Sequence, residues 1–133
     1  MARVLEQEAS NKALVLEAFD ALFNRRDFAS AEKYFSPTYI QHSAVIPPGW
    51  DGLLSLVRGL TRRYERSLAV AEGDYVMVHG RYSGGGRPTR IAVDILRVEG
   101  GRLAEHWDVL QDEATEGGSK SGLPMFGQAF PES

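Results

Sequence analysis

The chain contains no cysteine, which excludes disulfides, thiol catalysis and Cys-ligated zinc and fits a reducing cytoplasm. Lys and Arg are scattered, adjacent only at Arg25-Arg26 and Arg62-Arg63, and the net charge is -3. No basic stripe is therefore offered to nucleic acid. No apolar run approaches the roughly 20 residues that cross a bilayer. The acidic opening Met1-Ala2-Arg3-Val4-Leu5-Glu6-Gln7-Glu8 lacks the apolar centre of a secretion signal. These absences predict a soluble cytoplasmic protein with no membrane or nucleic-acid partner. At 133 residues, a single domain over residues 1–133 is expected, large enough to bury a core without metal or disulfide staples.

What is present divides the chain into a helical first half and a stranded second half. Ser10 is a candidate cap for a helix running to Asn24, with Leu14, Ala18, Phe19, Leu22 and Phe23 forming its apolar stripe. A short helix over Phe28–Phe35 should stop before Ser36-Pro37, because the residue before proline avoids helical angles. Thr38–His42 reads as a brief extended piece. After the turn Pro47-Pro48-Gly49, Asp51 is a candidate cap for a third helix. From Ser67 the period becomes two, predicting strands over 67–72, 75–82, 89–98 and 102–111 in an antiparallel meander. The Gly-, Ser- and Pro-rich stretch 112–133 reads as a tail or flap. Helices followed by strands imply an α+β fold in which the helices cover one face of a curved antiparallel sheet and enclose a cone-shaped cavity.

The last hairpin concentrates the chemistry. His106 and Asp108 are two apart on one strand and share a face. A three-residue loop Glu99-Gly100-Gly101 would set Asp94 opposite His106 on that face. A two-residue turn would shift the register by one and turn Asp94 away. Two carboxylates and an imidazole on one patch suit general acid/base catalysis, since burial and like charge separate their pKa values. His42, on the preceding extended piece, is a fourth candidate, able when protonated to hold a carbonyl oxygen. Trp50, Tyr39, Phe23 and Tyr64 are the expected substrate contacts. Trp107 alternates away from His106 and, with Val93, Ile95 and Val109, forms an apolar outer face that predicts a homodimer. His79 reads as a sheet-surface residue, and Arg97 and Glu105 as diagonal neighbours in an ion pair.

Tyr39-Ile40-Gln41-His42, the turn Pro48-Gly49-Trp50-Asp51-Gly52, the hairpin segment Val93–Leu103 and Glu105-His106-Trp107-Asp108 together resemble the SnoaL-like polyketide cyclases of the nuclear-transport-factor-2-like superfamily. The same superfamily includes ketosteroid isomerases and limonene epoxide hydrolases. The resemblance spans roughly Asn11 to Gln111. It implies a cone-shaped α+β barrel working without cofactor or metal. It further implies that Asp108 is the general acid/base of an aldol-type cyclisation or isomerisation on a hydrophobic carbonyl or polyketide-like substrate. Asp94 stands where those cyclases carry His. Because one cone hosts many activities, a non-catalytic ligand-binding dimer and an epoxide or ester hydrolase stay open as alternatives. A metal site from His42, His106, Asp94 and Asp108 is disfavoured by the lack of a short ligand motif. Gly84-Gly85-Gly86 lacks the Lys and Ser/Thr of a phosphate loop and reads as a flexible hairpin connection.

Overall fold

No glycine or proline interrupts residues 2–24, and the whole stretch is helical. A computed structural model describes residues 2–131, with α1 over Ala2–Phe19 continuing into a π-type turn at Asp20–Asn24. Ser10 is thus an interior residue rather than a cap, because the Leu, Glu, Gln and Ala before it are strong helix formers. Val15, Ala18, Phe19 and Leu22, spaced i, i+3, i+4, i+7, are buried and form the face turned to the sheet. Val15 and Leu22 are wholly buried, each contributing roughly 1.5–3 kcal/mol relative to exposure.

The short α2, Phe28–Glu32, begins where the Asp27 side chain accepts the Ser30 N–H. It ends before the expected Phe35 because Phe35–Gln41 is already strand β1. Helix α3 spans Gly49–Gly59 with Pro48 at its N-cap position, so Asp51 lies inside the first turn. There its charge complements the helix dipole rather than capping it.

Four strands follow: β2 (Arg63–Glu72), β3 (Tyr75–Ser83), β4 (Arg90–Glu99) and β5 (Arg102–Asp112). Strand β2 starts four residues before the expected Ser67. The sheet order is β1-β5-β4-β3-β2. It is mixed rather than wholly antiparallel, since β1 returns from the helices parallel to β5. The sheet is curved and does not close, and the helices cover its inner face over a core of Val76, Val78, Leu96, Val98 and Leu103. Gly80, in the middle of β3, makes room for a buried ring. A Cβ there would lie 2.5 Å from the Tyr64 ring.

After β5 the chain crosses the outer face of the sheet. Arg81 Nε donates to Glu113 Oε1 at 2.8 Å, and the Arg81 guanidinium lies 4.6 Å over the Phe126 ring. Phe126 is buried and also meets His79, so the expected tail is a strap anchored on the outer surface. No helix among the described residues is long and apolar enough to cross a membrane.

Candidate active site

The turn between β4 and β5 decides what faces the cavity. Glu99 pairs with Arg102, leaving a two-residue turn, Gly100-Gly101, with φ of 58° and 74°. Two consecutive left-handed residues are what a type I′ hairpin demands and what Gly permits. The expected three-residue loop is therefore not formed. Yet Asp94 still faces inward, because the register shifts again between Arg97 and Val98. Ala104 is the extra residue of this bulge, and Leu103 and Ala104 are consecutively buried. Two one-residue shifts cancel in parity. The result pairs Asp94 directly with Asp108, and Leu96 with His106, correcting the expected Asp94–His106 pairing. Arg97 and Glu105 become direct partners, with Nε 2.9 Å from Oε1.

On the inner face, Asp94, His106 and Asp108 bring one ligand atom each within 4.8 Å of one another. Asp94 is 2 % and His106 4 % exposed. His106 Nε2 lies 2.7 Å from Asp94 Oδ1, and the Tyr82 hydroxyl donates to Asp94 Oδ2 at 2.8 Å. The other imidazole nitrogen, Nδ1, lies 2.6 Å from Gln41 Oε1. The backbone N–H of Ser43 also donates to that Gln41 oxygen, at 3.0 Å, which fixes the amide so that Oε1 is the acceptor. His106 Nδ1 must then carry a hydrogen. On the Nε2 side the 2.7 Å contact ties the imidazole to Asp94.

Of the two carboxylates, Asp108 is the one that His106 does not hydrogen-bond. Burial raises its pKa above the ordinary value of 3.8; a Ser43 hydrogen bond and the His106 charge pull it down, and Asp94 pushes it up again. Tyr39 and Tyr82 are likewise raised, first by burial and then by Asp94, and both stay protonated. Tyr39 accepts from Gln41 Nε2 at 3.3 Å, which leaves the hydrogen of its own hydroxyl for a ligand.

Above these groups lies a cavity of about 280 Å³. Phe23 and Tyr39 line it, with Leu53, Val57 and Leu110 adding apolar wall. Trp50 and Tyr64 are not part of the lining. Trp50 packs on Phe35 at 4.8 Å, and Tyr64 sits among Phe19, Phe23 and Tyr82. His42 is separated from the cluster altogether. It neighbours Gln41 on an extended chain and so points to the opposite face, where it stacks on Trp107 at 4.8 Å and pairs with Glu105 at 2.7 Å. The four-residue metal set imagined from sequence is not assembled. In the remaining trio, Asp94 Oδ1 and His106 Nε2 are already committed to each other.

Gln41 and Tyr82 complete the site, and strand parity alone points to the first of them. Tyr39 lies on the inner face, so the residue two further on, Gln41, lies there as well, against His106, and His42 cannot.

A model of the SnoaL-like domain matches residues 15–106. The chain belongs to the SnoaL-like domain family. Among solved structures, this SnoaL-like domain is similar to AclR, a "putative hydroxylase" from Streptomyces galilaeus. The two share 26 % identity over 78 % of this chain and 90 % of that one, with a TM-score of 0.64. A "putative polyketide cyclase" from Acidithiobacillus ferrooxidans shares 16 % identity over 77 % and 88 %, TM-score 0.66. An epoxide hydrolase of the LEH-like type from M. tuberculosis shares 16 % over 79 % and 85 %, TM-score 0.67. The latter two establish the fold alone. Among curated proteins, none matches the sequence.

Proposed function

We propose that this SnoaL-like domain is a cofactor-independent acid/base enzyme acting on a small hydrophobic carbonyl compound, by aldol-type cyclisation or enol-type isomerisation. The observation that carries the reading is Asp108: a half-buried carboxylate of raised pKa, lining a cavity with apolar walls beside the hydrogen-bonded His106–Asp94 pair. In this reading Asp108 removes the proton from the carbon next to the carbonyl, and the C–H electron pair moves into the enolate. Tyr39 donates its free hydroxyl hydrogen to the enolate oxygen, the role His42 is too remote to take. The enolate carbon then attacks a second carbonyl, whose π pair moves onto its oxygen as that oxygen takes the proton back from Asp108; in the isomerisation of a β,γ-unsaturated ketone the γ-carbon of the dienolate takes that proton instead. His106, held by Gln41 and Asp94, supplies a fixed positive edge that Asp108 faces as it gains and loses charge.

Substitution Asp108→Asn keeps shape and polarity but removes the titrating group. Single-turnover kinetics on one- and two-ring ketones should fall roughly 10²–10⁴-fold while binding changes little. Equal rates would make the cavity a binding site only. Turnover of epoxides or esters, and of no ketone, would assign the carboxylate to water activation.

The apolar outer face, with Met77 44 % and Val109 69 % exposed beside Trp107, supports a homodimer, and the cysteine-free composition supports a cytoplasmic setting. Sedimentation at micromolar concentration should give a dimer that Val109→Glu weakens. A monomeric parent chain would contradict this assembly.

A further inference from the structure

One end of the cavity has a chemistry that the reaction at Asp108 leaves unused. Arg62, Arg87 and Arg90 all line it, gathered where β2 begins, where the β3–β4 turn passes and where β4 begins. Arg62 donates to the carbonyls of Gly84, Arg87 and Pro88 at 2.6, 3.3 and 2.8 Å, so it braces the turn without losing its charge. Burial, then the neighbouring charges of Arg90 and Arg87, lower its pKa, which marks three cations that repel one another. Asp112, mostly in solvent and 3.1 Å from Arg90, is the one carboxylate paired with any of them among the described residues.

The opposite end of the same cavity holds Asp94 and Asp108. Arg90 and Asp94 are four residues apart on β4, about 13 Å along the strand. The cavity is therefore bipolar, cationic at the rim and anionic at the floor, with apolar walls between. An acidic group placed at the floor would meet like charge. Placed at the rim it would find guanidinium forks suited to an oxyanion.

We propose that the substrate is a compact apolar keto acid, bound with its carboxylate on the Arg87–Arg90 rim and its carbonyl toward Tyr39 and Asp108. Which end reacts rests on the acid/base reading above; the carboxylate-binding rim does not. The cavity volume of about 280 Å³ is near twice the ~150 Å³ that accommodates one benzene ring, so one or two rings fit and a polycyclic skeleton does not.

The test uses a two-ring probe pair that differs only in charge: 2-naphthylacetate and its neutral amide, titrated by calorimetry into the full chain. The acid should bind roughly tenfold tighter than the amide, with the preference shrinking as salt is raised. In Arg87→Gln/Arg90→Gln the acid should fall to the affinity of the amide while the amide stays unchanged. Equal affinities in the parent chain would overturn the proposal, as would a double variant that weakens both probes alike. The readout needs no turnover, so a failed rim and a failed Asp108 mechanism are distinguishable.

Discussion

The two faces of the sheet each carry a histidine paired with a carboxylate, and the two pairs have the same length. Inside, His106 and Asp94 are 2.7 Å apart with side chains 5 % and 3 % exposed. Outside, His42 and Glu105 are also 2.7 Å apart, but 42 % and 18 % exposed. The difference lies in what surrounds them. The outer pair extends to Arg97 and rests on Trp107, a solvated network in which Glu105 is held below the ordinary carboxylate range first by His42 and then by Arg97. The inner pair is oriented by Gln41 and Tyr82 and has a second carboxylate, Asp108, beside it on the cavity wall. A histidine–carboxylate contact is thus common structural material, and becomes a candidate site when burial and an unmatched neighbour are added.

Breaking each pair should expose that contrast. Asp94→Ala leaves the His106 edge buried without its partner and should cost about 3–5 kcal/mol of stability. Glu105→Ala, whose partners reach water, should cost far less. Chemical denaturation of both variants checks the order, and similar losses would erase the distinction. A smaller effect sharpens it: Gln41→Leu leaves His106 Nδ1 without an acceptor, a penalty of roughly 1–3 kcal/mol. It should also slow turnover by loosening the imidazole. The equivalent change on the outer face, His42→Leu, should leave turnover intact.

The sequence made the fold legible because period, turn residues and family-like motifs agreed from Asn11 to Gln111. The inner face of β5 was legible for the same reason, since i and i+2 on a strand need no tertiary knowledge. The register was not. A Gly-Gly turn and a bulge at Ala104 each shift the pairing by one, and only their sum keeps Asp94 inside. No local signal in Leu103-Ala104-Glu105 announces a bulge. The parallel return of β1 was equally hidden, because pairing between distant segments leaves no mark on either. His42 was misjudged for a different reason. Imidazole chemistry fits a site, but strand parity from Tyr39 assigns the inner position to Gln41. The arginine rim leaves no mark in the sequence because Arg62, Arg87 and Arg90 meet only when β2 and β4 are laid beside β3.

The central claim is that the inner face holds Asp108 poised to accept and return a proton, and carboxyl-carbon NMR titration of this residue tests it most directly. The account predicts a midpoint above the ordinary 3.8. Since the folded value then exceeds the unfolded one, the native chain should lose stability as pH rises from 3.8 through that midpoint, a loss absent from Asp108→Asn. A midpoint at or below 3.8 would contradict the account, placing Asp108 with the solvated carboxylates of the outer face.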